Sequence, residues 1–172
     1  GAAVLLSAQS FDLRTYSDIE GLENQSIRAL LQDRAGFLWV GTENGLFRFD
    51  GLIFQPYRRE QGLPAAEIEA LHEAADGTLW VGTAGGLARR QGNRFEKVPM
   101  GVARRVRQGS GIASDQNGTL YVATERGLAI GRPGAGNTWS FEIRGPERVW
   151  GVAVGSAGQV WFGCNQGLCR LQ

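Results

Sequence analysis

Short segments of alternating apolar and polar residues recur along the chain, separated by glycine-containing turns. The segment SIRALLQD alternates in this way and is followed by a turn over residues 33–36. The next two segments, FLWVGT and LFRFD, flank Asn44-Gly45, a dipeptide that favours a type I′ hairpin turn. A further aromatic strand, LIFQPY, follows. This order predicts a four-stranded antiparallel sheet in which both faces are apolar, as in a sheet packed between two others.

The same unit recurs four times. The glycine before each central strand stands 41, 41 and 40 residues from the next, at Gly36, Gly77, Gly118 and Gly158. The aromatic position of the unit reads Trp39, Trp80, Tyr121 and Trp161, and the turn glycines are Gly45, Gly86, Gly127 and Gly167. A period of about 40 to 45 residues is typical of propeller blades. The prediction is an all-β fold, a β-propeller of four-stranded antiparallel blades, with about four blades in this chain.

The predicted blades cover about residues 26–58, 67–98, 109–143 and 148–172 of a propeller domain spanning 11–172. The last unit stops without an outer strand, and residues 11–16, FDLRTY, resemble a spare outer strand that would close the ring. Three arrangements remain open: a partial ring, a tight four-blade ring, or half of a dimeric ring. We also expect Gly41 and Gly82 to leave room for a neighbouring aromatic ring.

Composition narrows the class of protein. The 172 residues suit one domain, and 26 glycines with 5 tryptophans and 8 phenylalanines suit aromatic strands joined by tight turns. Basic and acidic residues nearly cancel, 18 against 17, so we expect no nucleic-acid partner. No apolar run reaches the length of about 20 residues that spans a bilayer. Residues 1–10 read either as the end of a secretory leader or as an N-terminal extension.

The pattern IRALLQDRAGFLWVGTENGLFRFDG resembles the two-component regulator propeller repeat, and GLENQSI and GLPAAEI resemble its lead-in. The departures are Tyr121, Ala123 and Cys164, where the pattern favours Trp, Gly and Thr. The resemblance implies a periplasmic sensor propeller, joined to a β-sandwich, a membrane helix and a histidine kinase or diguanylate cyclase. It implies a small-molecule or oligosaccharide ligand, and a homodimer is one expected assembly.

Catalytic and metal-binding chemistry finds little support in the sequence. The sole histidine, His72, is followed by Glu73 in a predicted inner strand. A single histidine beside a glutamate is more often a surface or interface residue than an acid–base pair. One histidine and two cysteines do not supply a zinc ligand set, so we expect no metal and no cofactor. The glycine-rich segment GRPGAGN is expected to be a long turn.

The two cysteines favour a disulfide in an oxidising periplasm. If Gln166-Gly167 forms the hairpin turn, Cys164 directly faces Cys169 across two strands. A Cys164–Cys169 bond is therefore one expectation, and two free buried thiols are the alternative.

Ligand-binding candidates lie where hairpin tips and inner-strand entrances share one face of a propeller. The arginines at 104, 105, 107 and 148 could form a cluster of forked donors suited to carboxylate or acidic sugar groups. The full candidate set is Glu43, Asn44, Glu67, Arg104, Arg105, Arg107, Glu125, Arg126, Arg148 and Asn165. Two functions are carried forward: a non-catalytic sensor, and a propeller lyase or hydrolase in which the loop-face glutamates and His72 would have to converge.

Overall fold

The computed structural model describes residues 12–165 and 167–172. These residues form four antiparallel sheets in sequence order. The strands of the first sheet are Ile27–Gln32 (β1), Leu38–Thr42 (β2), Gly45–Phe49 (β3) and Phe54–Tyr57 (β4). Those of the second sheet are Ile68–Glu73 (β5), Leu79–Thr83 (β6), Gly86–Gln91 (β7) and Arg94–Val98 (β8).

The third sheet contains Ile112–Ser114 (β9), Leu120–Thr124 (β10), Gly127–Pro133 (β11) and Trp139–Arg144 (β12). The fourth has three strands, Val152–Val154 (β13), Val160–Cys164 (β14) and Gly167–Arg170 (β15). Short 3-10 turns lie at Asp18–Glu20, Arg59–Gln61 and Ala135–Asn137. The all-β propeller prediction is confirmed, and the strands fall inside the predicted blade ranges except that β12 runs one residue further.

The central hairpins turn one residue earlier than predicted. Thr42 pairs with Gly45, so the two turn residues are Glu43 and Asn44 rather than Asn44-Gly45. The Thr42 hydroxyl donates to the Gly45 carbonyl at 2.9 Å and accepts the Asn44 N–H at 3.1 Å. Gly45 has φ +139°, a value that a side chain at this position would disfavour. The hairpins of the second and third sheets use the same threonine and glycine contact.

An aspartate in the turn between the first two strands of a blade orients the aromatic residue that follows. Asp33 accepts the backbone N–H groups of Ala35 and Phe37, and its second oxygen accepts the Trp39 indole N–H at 2.8 Å. In the third sheet Asp115 accepts a hydrogen bond from the Tyr121 hydroxyl at 3.1 Å. The aspartate thus satisfies the one polar group of a ring that is otherwise buried between blades.

The core lies between successive sheets rather than inside any one of them. Trp39 of the first sheet packs with Ile68 and Phe95 of the second, and Trp80 packs edge-on against Trp139 of the third at 4.8 Å between centroids. Tyr121 belongs to the cluster shared by the third and fourth sheets. Each blade therefore depends on its neighbours for burial of its apolar faces.

The strand glycines Gly41 and Gly82 accommodate aliphatic side chains, not the aromatic ring that the sequence led us to expect. A Cβ at Gly41 would lie 2.5 Å from the Ile68 Cγ2 methyl, and one at Gly82 would lie 2.4 Å from Val106 Cγ1. Ile68 belongs to the next blade, and Val106 to the connection that leads into the next blade. The missing side chains are what allow adjacent sheets to approach this closely.

The two ends of the array differ from its middle. Residues 12–16 form no strand, and Tyr16 packs on Phe49 and Phe54 of the first sheet. Within the described residues this segment is therefore not an outer strand of the fourth blade, which was one of the arrangements left open. In the fourth sheet Trp161 is 38% exposed and Leu168 72%, whereas Trp39 is fully buried. These ends are consistent with a partial ring. The leader prediction for residues 1–10 lies outside the described residues.

Candidate ligand-binding site at the propeller axis

One face of the propeller collects the hairpin tips and the connections between blades. Because the strands of each sheet are antiparallel, the tip between the second and third strands lies at the same end as the entry to the first strand. We call this end the loop face. It is formed by hairpin residues 43–44, 84–85 and 125–126 and by connections 58–67, 99–111 and 145–151. The first strands of successive sheets line the axial side of the array: β1 contacts β5, β5 contacts β9, and β9 contacts β13.

Four equivalent positions lie where these inner strands reach the loop face. Arg28, Glu69, Ser110 and Trp150 stand 41, 41 and 40 residues apart, the spacing of the repeat itself. In the first two sheets the register between inner and second strand shifts at this point, at residues 27–29 and 68–70. A shift of this kind re-aims a side chain relative to a regular strand. The repeat conserves its core residues here but changes the chemistry of this position from blade to blade.

Three of these four side chains line a single cleft of about 320 Å³. Arg28, Glu69 and Trp150 come from the inner strands or their entrances, and the connection to the third blade contributes the rest. We refer to it as the axial cleft, and its lining is Arg28, Glu69, Arg105, Arg107, Gln108 and Trp150.

A buried carboxylate holds one side of the axial cleft together. Glu69 is only 1% exposed, and its two oxygens accept hydrogen bonds from Arg28, at 3.1 Å, and from Arg105. Arg28 also pairs with Glu43 at 2.8 Å and with Glu67 at 3.1 Å. The pKa of Arg28 is raised, and the hydrogen bond to Glu43 is the main cause. Desolvation lowers this pKa, and the charges of Glu69 and Glu67 raise it further. This ion-pair network joins the first two blades to the connection that leads into the third.

The connection itself is pinned by backbone contacts. The Arg104 and Arg105 N–H groups donate to the two oxygens of Glu125, at 3.1 and 3.0 Å. Further along, the Arg107 N–H donates to the Ala123 carbonyl at 2.9 Å, and the Gly109 N–H donates to the Glu69 carbonyl at the same distance. The arginine side chains therefore project from a backbone that these hydrogen bonds fix.

Arg107 and Trp150 form the other side of the cleft. The guanidinium carbon of Arg107 lies 4.6 Å from the centre of the Trp150 ring, in cation–π contact. Trp150 remains 56% exposed. The Nε atom of Arg107 is buried without a hydrogen-bond partner, and no carboxylate within the described residues forms an ion pair with this guanidinium.

The structure brings together only part of the sequence-predicted set. Of the predicted arginine cluster, Arg105 and Arg107 line the axial cleft, whereas Arg104 lies at a separate groove with Gly86 and Arg148 is exposed with φ +64°. Glu43 and Glu67 belong to the ion-pair network, and Glu125 positions the connection. The remaining candidates stand apart: Asn44 accepts from Arg58 through its carbonyl, Arg126 pairs with Glu147 at 3.5 Å, and Asn165 is an exposed turn residue.

Sequence reasoning missed Arg28, Glu69, Gln108 and Trp150. For three of them a signal was present, since they occupy one repeat position at which the residue type changes while its neighbours recur. Nothing in their local sequence marks Arg28 or Glu69 as anything other than solvent-facing strand residues.

His72 lies away from this site. Its Nε2 is 2.8 Å from the Ser114 hydroxyl, and it occupies the place that Leu31 has in the first sheet. Burial lowers its pKa, against a smaller opposing effect of Glu73. Glu73 itself pairs with Arg34 at 3.3 Å. Three strand residues, about 10 Å, separate His72 from Glu69, so the histidine does not converge with the loop-face glutamates.

The two cysteines are bonded, but in a different register from the predicted one. Cys164 pairs with Gly167 and Cys169 with Phe162, so the cysteines are diagonal neighbours rather than directly opposed. Their sulfur atoms are 2.04 Å apart and their Cα atoms 6.0 Å apart. Cys164 stands where the other blades have the turn threonine, so a covalent link takes the place of that hydrogen bond.

Two global features complete the description. Among the described residues, no group of three or more His, Cys, Asp or Glu side chains is arranged to hold a metal ion. Within the same ranges, no helix has the length and apolar character needed to cross a bilayer.

Comparison with known proteins agrees with the fold. The extracellular domain of a hybrid two component system, BT3049 of B. thetaiotaomicron, superposes with a TM-score of 0.75 at 20% identity, over 92% of this chain and 26% of that one. Virginiamycin B lyase from Staphylococcus aureus superposes with a TM-score of 0.66 at 18% identity, over 88% of this chain and 54% of that one. At these identities the likeness concerns the fold alone.

The matches found by sequence indicate a type of protein as well as a fold. Histidine kinase P4 of Formosa agariphila is 43% identical over 58 residues, which are 33% of this chain and 4% of that protein. The chain thus matches only a small part of this relative. The family described as two component regulator propeller matches residues 21–44 and 62–85, the lead-in and first two strands of the first two blades. The resemblance found in the sequence is confirmed for the first two blades: in a chain with a β-propeller fold, residues 21–44 and 62–85 match the two component regulator propeller repeat.

Proposed function

We propose that this propeller is the non-catalytic ligand-binding module of an extracytoplasmic sensor, and that the axial cleft is where its ligand binds. The observation that carries the proposal is the contrast within the repeat. Core positions recur from blade to blade, but the axial position carries arginine, glutamate, serine and tryptophan in turn. A position at the loop face, outside the core between the blades, is where recognition can diversify on the shared scaffold.

The repeat match and the relatives support a sensor. The family is named for two component regulators, one relative is named a histidine kinase, and one similar structure is described as an extracellular domain. We infer that the propeller lies in the periplasm, and that a linked β-sandwich and membrane helix lead to a histidine kinase or diguanylate cyclase. A homodimer would let the propeller transmit a change in packing between subunits.

The arrangement suits signalling because the cleft is shared between blades. Its lining comes from the first and second blades, from the connection into the third and from the entrance of the fourth. A ligand that contacts all of these binds one relative placement of the blades better than another, and so shifts the equilibrium between them. The coupling to an output domain would then equal the difference in binding free energy between the two placements.

The alternative, a lyase or hydrolase at the ring centre, is less well supported. The similarity to virginiamycin B lyase concerns the fold only. Such chemistry would require His72 to lie beside the loop-face glutamates. Instead, His72 forms a hydrogen bond with Ser114 and lies away from these glutamates.

The test combines binding with turnover. Small organic acids and neutral and acidic saccharides are screened by thermal shift, and each compound that stabilises the protein is re-examined by NMR after long incubation. We expect at least one compound to bind and to be recovered unchanged. A His72→Leu/Glu73→Gln double variant should bind the compound as the unmodified protein does. Conversion of the compound that is abolished in this variant would establish the enzyme instead.

A further inference from the structure

We propose that Arg107 and Trp150 form a subsite for a carboxylate group borne on a six-membered ring. This inference rests on the proposed function, because it names the chemistry that the axial cleft would recognise. In this subsite the guanidinium of Arg107 binds the carboxylate, and the indole of Trp150 packs on the ring.

The arginines of the axial cleft differ in whether a carboxylate balances their charge. Arg28 and Arg105 both form ion pairs with Glu69 and Glu67, so carboxylates already balance their charges, although the Nε of Arg28 is also buried without a hydrogen-bond partner. Arg107 lines the same cleft, yet within the described residues it has neither an ion pair nor a side-chain hydrogen bond, and its Nε is buried. A guanidinium that is partly desolvated and unpaired favours an anionic partner, and its planar fork matches the two oxygens of a carboxylate.

Trp150 supplies the second half of the subsite. At the equivalent position of the second blade Glu69 is buried, but Trp150 leaves more than half of its surface exposed beside the cleft. An indole offers a large apolar face at little cost in conformational entropy, and rings stack on such faces. Because Arg107 already lies against this indole, a ligand that spans both side chains has its charged group and its ring in adjacent positions.

The main chain of both residues is held in place before any ligand binds. The Arg107 N–H donates to Ala123, and the Trp150 N–H donates to the Gly163 carbonyl at 3.0 Å. A contact geometry fixed by the backbone reduces the entropy lost on binding. The cleft volume of about 320 Å³ is suited to one monocyclic ligand. The carboxylates of Glu67 and Glu69 on the other side would oppose a second negative charge and thereby limit the ligand to one carboxylate there.

The experiment uses two acids and their neutral counterparts. Isothermal titration calorimetry is performed with D-glucuronate against D-glucose and with benzoate against benzyl alcohol, up to about 50 mM, which detects a Kd of about 1 mM or somewhat weaker. The variants are Arg107→Gln, Arg107→Lys and Trp150→Ala. Arg148→Gln is the matched control, because Arg148 is an exposed arginine of the same loop face outside the cleft.

We expect at least one acid to bind and its neutral counterpart to bind at least tenfold more weakly. Arg107→Gln should weaken the acid about tenfold or more, as expected for a charge-assisted hydrogen bond, Arg107→Lys less, and Arg148→Gln not at all. Trp150→Ala should weaken it as well. Binding of glucuronate alone would identify a sugar acid, and binding of benzoate alone an aromatic acid.

Several results would overturn the subsite. They are equal binding of acid and neutral compound, binding unaffected by Arg107→Gln in a variant that keeps its melting temperature, and no binding of either acid. If other compounds bind and neither acid does, the subsite fails while the sensor proposal stands. If an acid binds through Arg107 but is converted, the sensor proposal fails and the subsite stands.

Discussion

Replacing Gly82 with alanine tests whether strand glycines set the distance between blades. A Cβ at this position would lie 2.4 Å from Val106 Cγ1 and 2.8 Å from Val106 Cβ, and 3.2 Å from Ile112 Cδ1. Carbon atoms in contact are normally about 3.5 to 4.0 Å apart, so the overlap exceeds about 1 Å against a branched side chain of limited freedom. Overpacking of this kind costs about 1 to 3 kcal/mol.

Gly163 provides the matched control, since it occupies the same strand position in the fourth blade. There the nearest contact of an added Cβ is Trp150 Cβ at 3.4 Å, which is close to ordinary packing. Neither glycine has a positive φ, so backbone strain does not enter either substitution. In the unfolded chain the change from glycine to alanine removes conformational entropy, which favours folding by about 0.4 to 1 kcal/mol. Gly163→Ala should therefore be neutral or slightly stabilising.

The assay is the melting temperature from tryptophan fluorescence, supported by urea titration. For a domain of this size about 1 kcal/mol corresponds to about 2 to 4 °C, so Gly82→Ala should lower the melting temperature by about 2 to 12 °C. Ala123 shows that a buried alanine is accommodated at this position when the next blade leaves room. If Gly82→Ala melts with the unmodified protein, or if Gly163→Ala is equally destabilised, close blade approach at Gly82 is not what the glycine provides.

Three further predictions concern the network, the disulfide and the histidine. Glu69→Gln should destabilise the protein by about 2 to 3 kcal/mol in urea titrations, because two arginines lose a buried counter-charge. As a control, Glu147→Gln removes an exposed ion pair and should change the free energy of unfolding by less than about 0.5 kcal/mol. Equal effects of the two substitutions would contradict a stabilising role of the ion-pair network. Mass spectrometry of the intact, alkylated protein should detect no free thiol before reduction. Reduction of the Cys164–Cys169 disulfide, which closes a short loop, should lower the free energy of unfolding by about 2 kcal/mol. Two reactive thiols in the unreduced protein would exclude the disulfide. Because burial lowers the pKa of His72 below its ordinary 6.5, the unfolded chain binds the proton more readily, so stability present above about pH 6.5 should fall as the pH drops toward the folded-state pKa. His72→Leu should show a smaller loss of melting temperature between about pH 7.5 and 5.5, and an unchanged loss would mean that another group is responsible.

The hairpins show how far local rules extend. The recurring glycine after each turn marked a backbone with positive φ, and each hairpin is found where this glycine predicts it. The predicted register was wrong by one residue. The Asn44-Gly45 rule places the glycine inside the turn, whereas the Thr42 hydroxyl closes a turn over Glu43 and Asn44 and leaves Gly45 as the first strand residue. The same shift separated the expected from the observed placement of Cys164 and Cys169.

The candidate site shows where local rules stop. Arg105 and Arg107 were predicted from a run of arginines, but Arg104 in the same run points elsewhere and lines another groove. The run supplies charge, whereas the backbone path between Ala123 and Glu69 decides which side chains enter the cleft. Trp150, the aromatic residue in the lining of the cleft, had no local signature at all.

The sequence by itself determined the repeat, the strands and the propeller, because the alternation of apolar residues, the turn glycines and the 41-residue period are all properties of short segments. The tertiary structure decided that Arg28, Glu69 and Trp150 share one cleft and that aliphatic side chains fill the space beside Gly41 and Gly82. These contacts join residues one or more repeats apart, and they depend on the angle and distance between sheets. Packing across blades fixes those quantities, and no short segment of the chain encodes them.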